Sequence, residues 1–252
     1  MKAKSYIAVV LPLCLGQMAT AHELSPCNIL AVQDAQYTVC RFDPAKSDIR
    51  LFLNDEDGEA LGGFAAVNAA LEPRAEQLVF AMNGGMYHKD RAPVGLYRQG
   101  NEVQGRLHLK ASAGNFGLLP NGVFHIEDGR AQVSESHDFA AKKITPSLAT
   151  QSGPMLVIDG KLHPKFNKGS ESRKIRNGVG VTQDGQVVFI KSDTPVNFYD
   201  FASLFRDKFK TPNALFLDGV ISRLYARGLG RSDFGARMGP IIGVVEAREG
   251  AE

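Results

Sequence analysis

The sequence predicts an α+β protein, a single mixed domain dominated by sheet with a few helices. Short apolar runs alternate with breaks rich in turn formers, 26 glycines and 12 prolines in 252 residues. Asp-Gly pairs punctuate the middle of the chain, and a type I′ hairpin turn favours that pair because both central residues need positive φ. Only two segments carry the apolar spacing of a helix, which leaves strands to build most of the fold.

The chain opens on Met1-Lys2-Ala3-Lys4, an apolar run from Tyr6 to Gly16, and small residues at Ala19 and Ala21. A basic start, a short apolar core and that small-residue pattern define a secretory signal. The run falls short of the roughly 20 residues a membrane-spanning helix needs. We therefore expect cleavage after Ala21 and a working domain over residues 22–252. That domain is exported without membrane insertion, and with no visible anchor or sorting segment it is expected in the periplasm. Leu13 is too large for the residue that precedes a lipidated cysteine, so Cys14 leaves with the signal.

Cys27 and Cys40 remain. The stretch between them reads as two strands folding about Gln33 and Asp34. Symmetric pairing sets Val32 opposite Ala35, Leu30 opposite Tyr37 and Cys27 opposite Cys40. Opposed Cβ atoms lie about 4.5–5.5 Å apart, close to disulfide geometry, and an exported protein meets oxidising conditions. A structural Cys27–Cys40 bridge is expected, since the pair lacks the C-x-x-C spacing of redox-active cysteines.

Arg50–Asn54 reads as a strand closed by a polar turn. Phe64, Val67, Ala70 and Leu71 predict a helix that Pro73 ends, and Gln77–Met82 is an apolar strand stopping at Asn83. Asp128-Gly129, Asp159-Gly160 and Asp184-Gly185 predict hairpins, with Asn121-Gly122 as a further turn, so those aspartates are turn formers. Phe198, Phe201, Ala202, Phe205 and Phe209 predict a helix behind an Asn197 N-cap, with Asp200 in its first turn. Its aromatic stripe belongs to the core. Thr211–Asn213 breaks that helix, and an apolar strand, Ala214–Leu217, runs into Asp218. The order of helix, proline-containing break, strand and polar residue thus occurs twice, ending at Asn83 and at Asp218.

The formal charge is +2, and Lys2 and Lys4 lie in the signal. A near-neutral domain offers no field for nucleic acid or an anionic membrane. There is no G-x-S-x-G elbow, Walker loop, H-E-x-x-H pair or cysteine nucleophile. His22, His88, His108, His125, His137 and His163 have no ligand spacing, so a metal would need a site assembled by the fold; no metal or cofactor is expected. What remains is polar residues in glycine-rich settings: Asn83-Gly84-Gly85, Gln151-Ser152-Gly153, Arg176-Asn177-Gly178 and Asp218-Gly219. Glycine lets backbone approach a neighbour closely, and arginine can clamp phosphate bidentately. Such residues suit a polyhydroxylated or phosphorylated small molecule, although each cluster taken singly also reads as a loop. The basic stretch Lys165–Arg176, with Arg223, Arg227 and Arg231, either attracts anions or is solvated loop charge.

Taken in order, the clusters resemble the motifs of the phosphodiester glycosidase family of exported bacterial proteins and mammalian enzymes. The resemblance rests on Asn83-Gly84-Gly85-Met86-Tyr87, on Gln151-Ser152-Gly153-Pro154 with Met155, Leu156 and Val157, on Arg176-Asn177-Gly178-Val179-Gly180, on Asp193 and on Leu217-Asp218-Gly219. It runs from about Tyr37 to the C-terminus. One departure stands out: the family continues with two further glycines and paired serines, whereas Val220, Ile221, Ser222 and Arg223 follow here. One serine is kept and a cation added, which predicts a narrower and more basic rim.

The resemblance implies hydrolysis of a sugar-1-phosphodiester at its glycosidic bond. A phosphate monoester leaves far more readily than a sugar alkoxide, so the work lies in supporting an oxocarbenium-like transition state and holding the phosphate. Asp218 is the first choice of carboxylate and Asp193 the second, while Arg176 would grip phosphate. Asn83, Gln151, Ser152, Asn177 and Ser222 would bind sugar hydroxyls or phosphate oxygens, and Gly84, Gly85 and Gly219 would shape the floor. Asp218 also reads as a fourth Asp-Gly hairpin, and Asp193 as a loop or capping residue. Two other functions stay open, a glycan-binding module without catalysis and a metal-dependent phosphodiesterase cleaving P–O.

Overall fold

A computed structural model describes residues 25–218, 221–248 and 250. The expected signal over residues 1–21 and Gly219 lie outside the described residues. The strands are β1 (Cys27–Val32), β2 (Ala35–Phe42), β3 (Asp48–Phe52), β4 (Glu76–Asn83), β5 (Tyr97–Gln99), β6 (Glu102–Gln104), β7 (Gly122–Glu127), β8 (Arg130–Glu135) and β9 (Leu148–Ser152). They continue as β10 (Met155–Ile158), β11 (Lys161–Leu162), β12 (Asn177–Val181), β13 (Val187–Ser192), β14 (Asn213–Phe216), β15 (Leu224–Ala226), β16 (Arg231–Ser232) and β17 (Ile241–Ala247). Three short helices join them, α1 (Phe64–Leu71), α2 (Ser136–Lys142) and α3 (Phe198–Ser203).

The strands form three antiparallel sheets, ordered β1-β2-β13-β12-β14-β10-β11, β16-β15-β4-β17-β3 and β6-β5-β9-β7-β8. Their inner faces share one apolar core. Phe189 of the first sheet stacks on Phe80 of the second at 4.9 Å and meets Phe124 of the third edge-on at 6.0 Å. All three rings are fully buried, and such aromatic contacts add to the gain from area alone. Each outer face carries one helix. Phe64, Val67 and Leu71 of α1 pack on the second sheet, Phe139 of α2 on the third, and Phe201 and Ala202 of α3 on the first. The α+β, sheet-dominated single domain expected from the sequence is therefore the one found.

The local readings hold where the signal is local. β1 and β2 pair with Val32 on Ala35, Leu30 on Tyr37 and Cys27 on Cys40, and the two cysteines are joined. Helix α1 has the expected ends, and Asn197 Oδ1 caps α3 by accepting from the Asp200 amide at 2.8 Å. Asp128-Gly129 and Asp159-Gly160 take positive φ at both positions, as their hairpins need. Asp184-Gly185 sits in a longer loop, where the Thr182 amide donates to Gln186 and Gly185 alone has positive φ, 85° against the 50° and 70° of Asp128 and Gly129.

Two readings are corrected. Asn121-Gly122 is no turn, because Gly122 begins β7. A Cβ there would stand 3.0 Å from Met155 and from the Ser134 carbonyl, so the glycine serves close packing. Asp218 does not lead into a hairpin either, because β14 and the next strand, β15, lie in different sheets. After α3 the chain passes into a π-helical turn, Leu204–Lys208, before the break at residues 211–213.

Candidate active site

All three sheets send a strand end to one place. β4 brings Asn83 from the second sheet, β12 begins at Asn177 in the first, β14 runs out to Asp218, and β9 of the third ends at Ser152. Asn83, Asn177 and Ser152 are fully buried and Asp218 is 6% exposed. Asn83 Nδ2 donates to Asp218 Oδ2 at 3.1 Å. Asn177 Oδ1 accepts from the Asp218 amide at 2.9 Å, and Ser152 Oγ donates to the Leu217 carbonyl at 2.7 Å. Ser222 Oγ donates to the Asp218 carbonyl at 3.3 Å. Asn83, Asn177 and Ser222 thus hydrogen-bond to Asp218, and Ser152 to the residue before it.

Burying a charge is costly unless it is hydrogen-bonded, and Asn83 of the second sheet donates to the Asp218 carboxylate while Asn177 of the first holds the Asp218 backbone amide. Its negative field reaches Tyr87, whose phenol pKa is raised by burial first and by the Asp218 charge second. The second amide atom of Asn177, Nδ2, is buried without a protein partner. That leaves one polar donor beside the carboxylate to satisfy by other means.

The glycines after Asn83 serve protein packing. A Cβ on Gly84 would stand 2.8 Å from the Ile242 amide nitrogen, and one on Gly85 would stand 2.9 Å from Thr150 Oγ1. Thr150 Oγ1 donates to the Gly84 carbonyl at 2.6 Å, tying the end of β4 to the third sheet. Gln151 is fully engaged by the protein. Its Nε2 donates to the His108 carbonyl at 2.6 Å and to Ser136 Oγ at 2.9 Å, and its Oε1 accepts from the His108 amide at 2.9 Å.

Arg176 precedes β12. Continuing the β12–β14 register, in which Gly178 pairs with Phe216, sets Arg176 across from Asp218. Its guanidinium donates to the Val196 and Ser172 carbonyls at 2.9 and 3.0 Å and lies 3.6 Å over the Phe198 ring. Burial brings its pKa down to about 10, which still leaves a cation at neutral pH. A buried cation held by neutral carbonyls and a ring face keeps its charge available to an anion.

Asp193 stands elsewhere on the same sheet end. It accepts from Arg231 at 2.7 Å, Thr38 at 2.7 Å and Lys191 at 3.3 Å. Lys191 and Arg231 also reach Asp233, at 3.5 and 2.8 Å. This two-cation, two-anion network joins the first sheet to the second. The sequence reading missed Lys191, Arg231 and Asp233 as a unit. Strand parity offered a signal for Lys191, which follows Val187 and Phe189 on one face and breaks an apolar alternation.

Arg223 is the cation added after Asp218. Its Nε and Nη2 donate to the Asp233 carbonyl at 3.1 and 2.8 Å, and its Nη1 to the Ala236 carbonyl at 3.1 Å. Its amide donates to Asn83 Oδ1 at 2.8 Å. Its side chain therefore clamps the 233–236 loop, while its backbone amide braces Asn83. Among the described residues, no three His, Cys, Asp or Glu side chains gather as a metal site would require, and no helix is long and apolar enough to cross a membrane.

An antiparallel three-sheet domain whose strand ends hold a buried carboxylate among amides defines the class of protein. The model of the family described as phosphodiester glycosidase matches residues 76–244, and the chain belongs to that family. It is 35% identical over 200 residues to the YigE protein of Escherichia coli K12, covering 79% of this chain and 78% of that one. The fold is shared with the catalytic domain of zebrafish N-acetylglucosamine-1-phosphodiester alpha-N-acetylglucosaminidase, auto-inhibited by its pro-peptide. The TM-score is 0.58 at 14% identity, over 90% of this chain and 86% of that one. A hypothetical protein from Synechocystis is similar at a TM-score of 0.53 and 11% identity, over 87% of this chain and 61% of that one.

Proposed function

We propose that the chain is an exported hydrolase that cleaves a sugar-1-phosphodiester at the glycosidic bond, with Asp218 as the carboxylate facing the reacting carbon. The observation that carries this reading is the Asn83–Asp218 hydrogen bond, which brings two family motifs together at one buried carboxylate. As the C–O bond to phosphate breaks, positive charge grows on the sugar ring, and a fixed carboxylate lowers the energy of that state. Asp218 acts as nucleophile or as electrostatic stabiliser. Asn83 holds the carboxylate and Asn177 the backbone amide behind it.

Arg176 takes the charge of the departing phosphate, and Asp193 is the second carboxylate. Ser152 and Ser222 fix the backbone on either side of Leu217 and Asp218, while Gln151, Gly84 and Gly85 position the third sheet against β4. Export is supported by the signal pattern over residues 1–21 and by the Cys27–Cys40 bridge, which an oxidising compartment sustains. The periplasm is the compartment that fits both.

The test is a panel of sugar-1-phosphodiesters incubated with the chain in oxygen-18 water, followed by mass spectrometry of both products. The reading expects free sugar carrying the label. Label in the phosphate would show P–O cleavage and overturn it, and no turnover of any member alongside retained sugar-phosphate binding would make the chain a binding module.

A further inference from the structure

An open cavity of about 650 Å³ lies between the tip of the β1–β2 hairpin, the 163–176 loop and the end of α3, and its lining takes no residue from the Asn83–Asp218 cluster. Its floor is apolar and aromatic: Tyr37, Val196 and Leu204 are buried, and Tyr199 stands half-buried beside them. Lys168, Arg173 and Lys208 line its rim exposed to solvent, and among the described residues none of the three makes an ion pair. Arg206, by contrast, is neutralised by Asp207 at 2.7 Å. Ser203 lies on the wall. The same wall changes from α- to π-helix at Leu204–Lys208, a distortion that recurs at functional sites.

Each feature asks for the same kind of ligand. An apolar, aromatic floor with a few placed polar groups is the usual build of a small-molecule site. Unpaired cations at a rim select a phosphate. Asp34 and Asp200, also in the lining, would accept from hydroxyls. We propose that this cavity is a second binding site, for a phosphorylated monosaccharide, with the ring against Tyr199, its hydroxyls on Asp34 and Asp200 and the phosphate on Arg173 and Lys208. The site stands whatever reaction takes place at Asp218. It adjoins the catalytic cluster through Val196, which lines the cavity and accepts from Arg176.

The test is titration of the isotope-labelled chain with glucose 1-phosphate, with glucose and inorganic phosphate as the two halves, read by amide chemical-shift changes and calorimetry. The proposal expects shifts centred on Tyr199 and Ser203 and tighter binding of the whole ligand than of either half. Arg173→Glu with Lys208→Glu, both exposed, is expected to weaken binding at least tenfold, and Asp218→Asn to leave it within twofold. Shifts confined to the Asn83–Asp218 cluster would overturn the proposal, as would inorganic phosphate binding equally well, or charge reversal without effect.

Discussion

The Asn83 amide and the Asp218 carboxylate, 135 residues apart in the chain, meet across 3.1 Å at the junction of two sheets. The other end of the same amide accepts from the backbone of Arg223 at 2.8 Å. Asn83 therefore fixes the carboxylate and the segment that follows it together. Asn83→Ala would take a donor from the buried Asp218 carboxylate and an acceptor from the Arg223 N–H, a loss of about 1–3 kcal/mol. Urea unfolding should show that loss, and turnover should fall at least tenfold at temperatures where the variant remains folded.

The Asp193 network makes a contrasting prediction. Its carboxylate is held by Arg231, Lys191 and Thr38. Replacing one member of a partly buried charge network leaves the others under-compensated. Asp193→Asn is expected to lower stability by about 1–3 kcal/mol while reducing turnover less than any change at Asp218. Paired unfolding and kinetic measurements check both.

His125 supplies a pH dependence of folding. It is buried against Phe139, its Nε2 meets Ser134 Oγ at 3.0 Å, and its Nδ1 has no partner. Burial, reinforced by the Lys142 charge, holds its pKa down at about 4. In the unfolded chain it titrates near 6.5, so between those values the unfolded state binds the extra proton. Stability from this group is complete above about pH 6.5 and falls by about 1.4 kcal/mol per unit as the pH drops toward 4. Unfolding midpoints across that range should show the slope, and His125→Leu should flatten it.

The disulfide closes the β1–β2 hairpin, which sits beside β13 in the first sheet. Replacing Cys27 and Cys40 together by serine, or adding a reductant, should destabilise the domain by about 2–4 kcal/mol. Differential unfolding with and without dithiothreitol measures this.

The legible features were those with short-range causes. The β1–β2 register followed from symmetry about two residues, and the limits of α1 from four apolar positions and a proline. Gly122 misled because a glycine that permits close packing and one that permits a turn look identical in sequence. The site was legible as a set of motifs but not as a constellation, since the meeting of Asn83 with Asp218 depends on how two sheets pack. Arg223 shows the same limit. Its charge was legible, but the carbonyls it donates to come from residues 233–236, whose approach no local pattern announces.

Asp218→Asn tests the central claim most directly, because it keeps shape and backbone bonds and removes only the charge. With a sugar-1-phosphodiester as substrate, the account predicts a fall in kcat of about 100-fold or more, with KM and the urea midpoint little changed. A variant that turns over within a few-fold of the parent chain would contradict it.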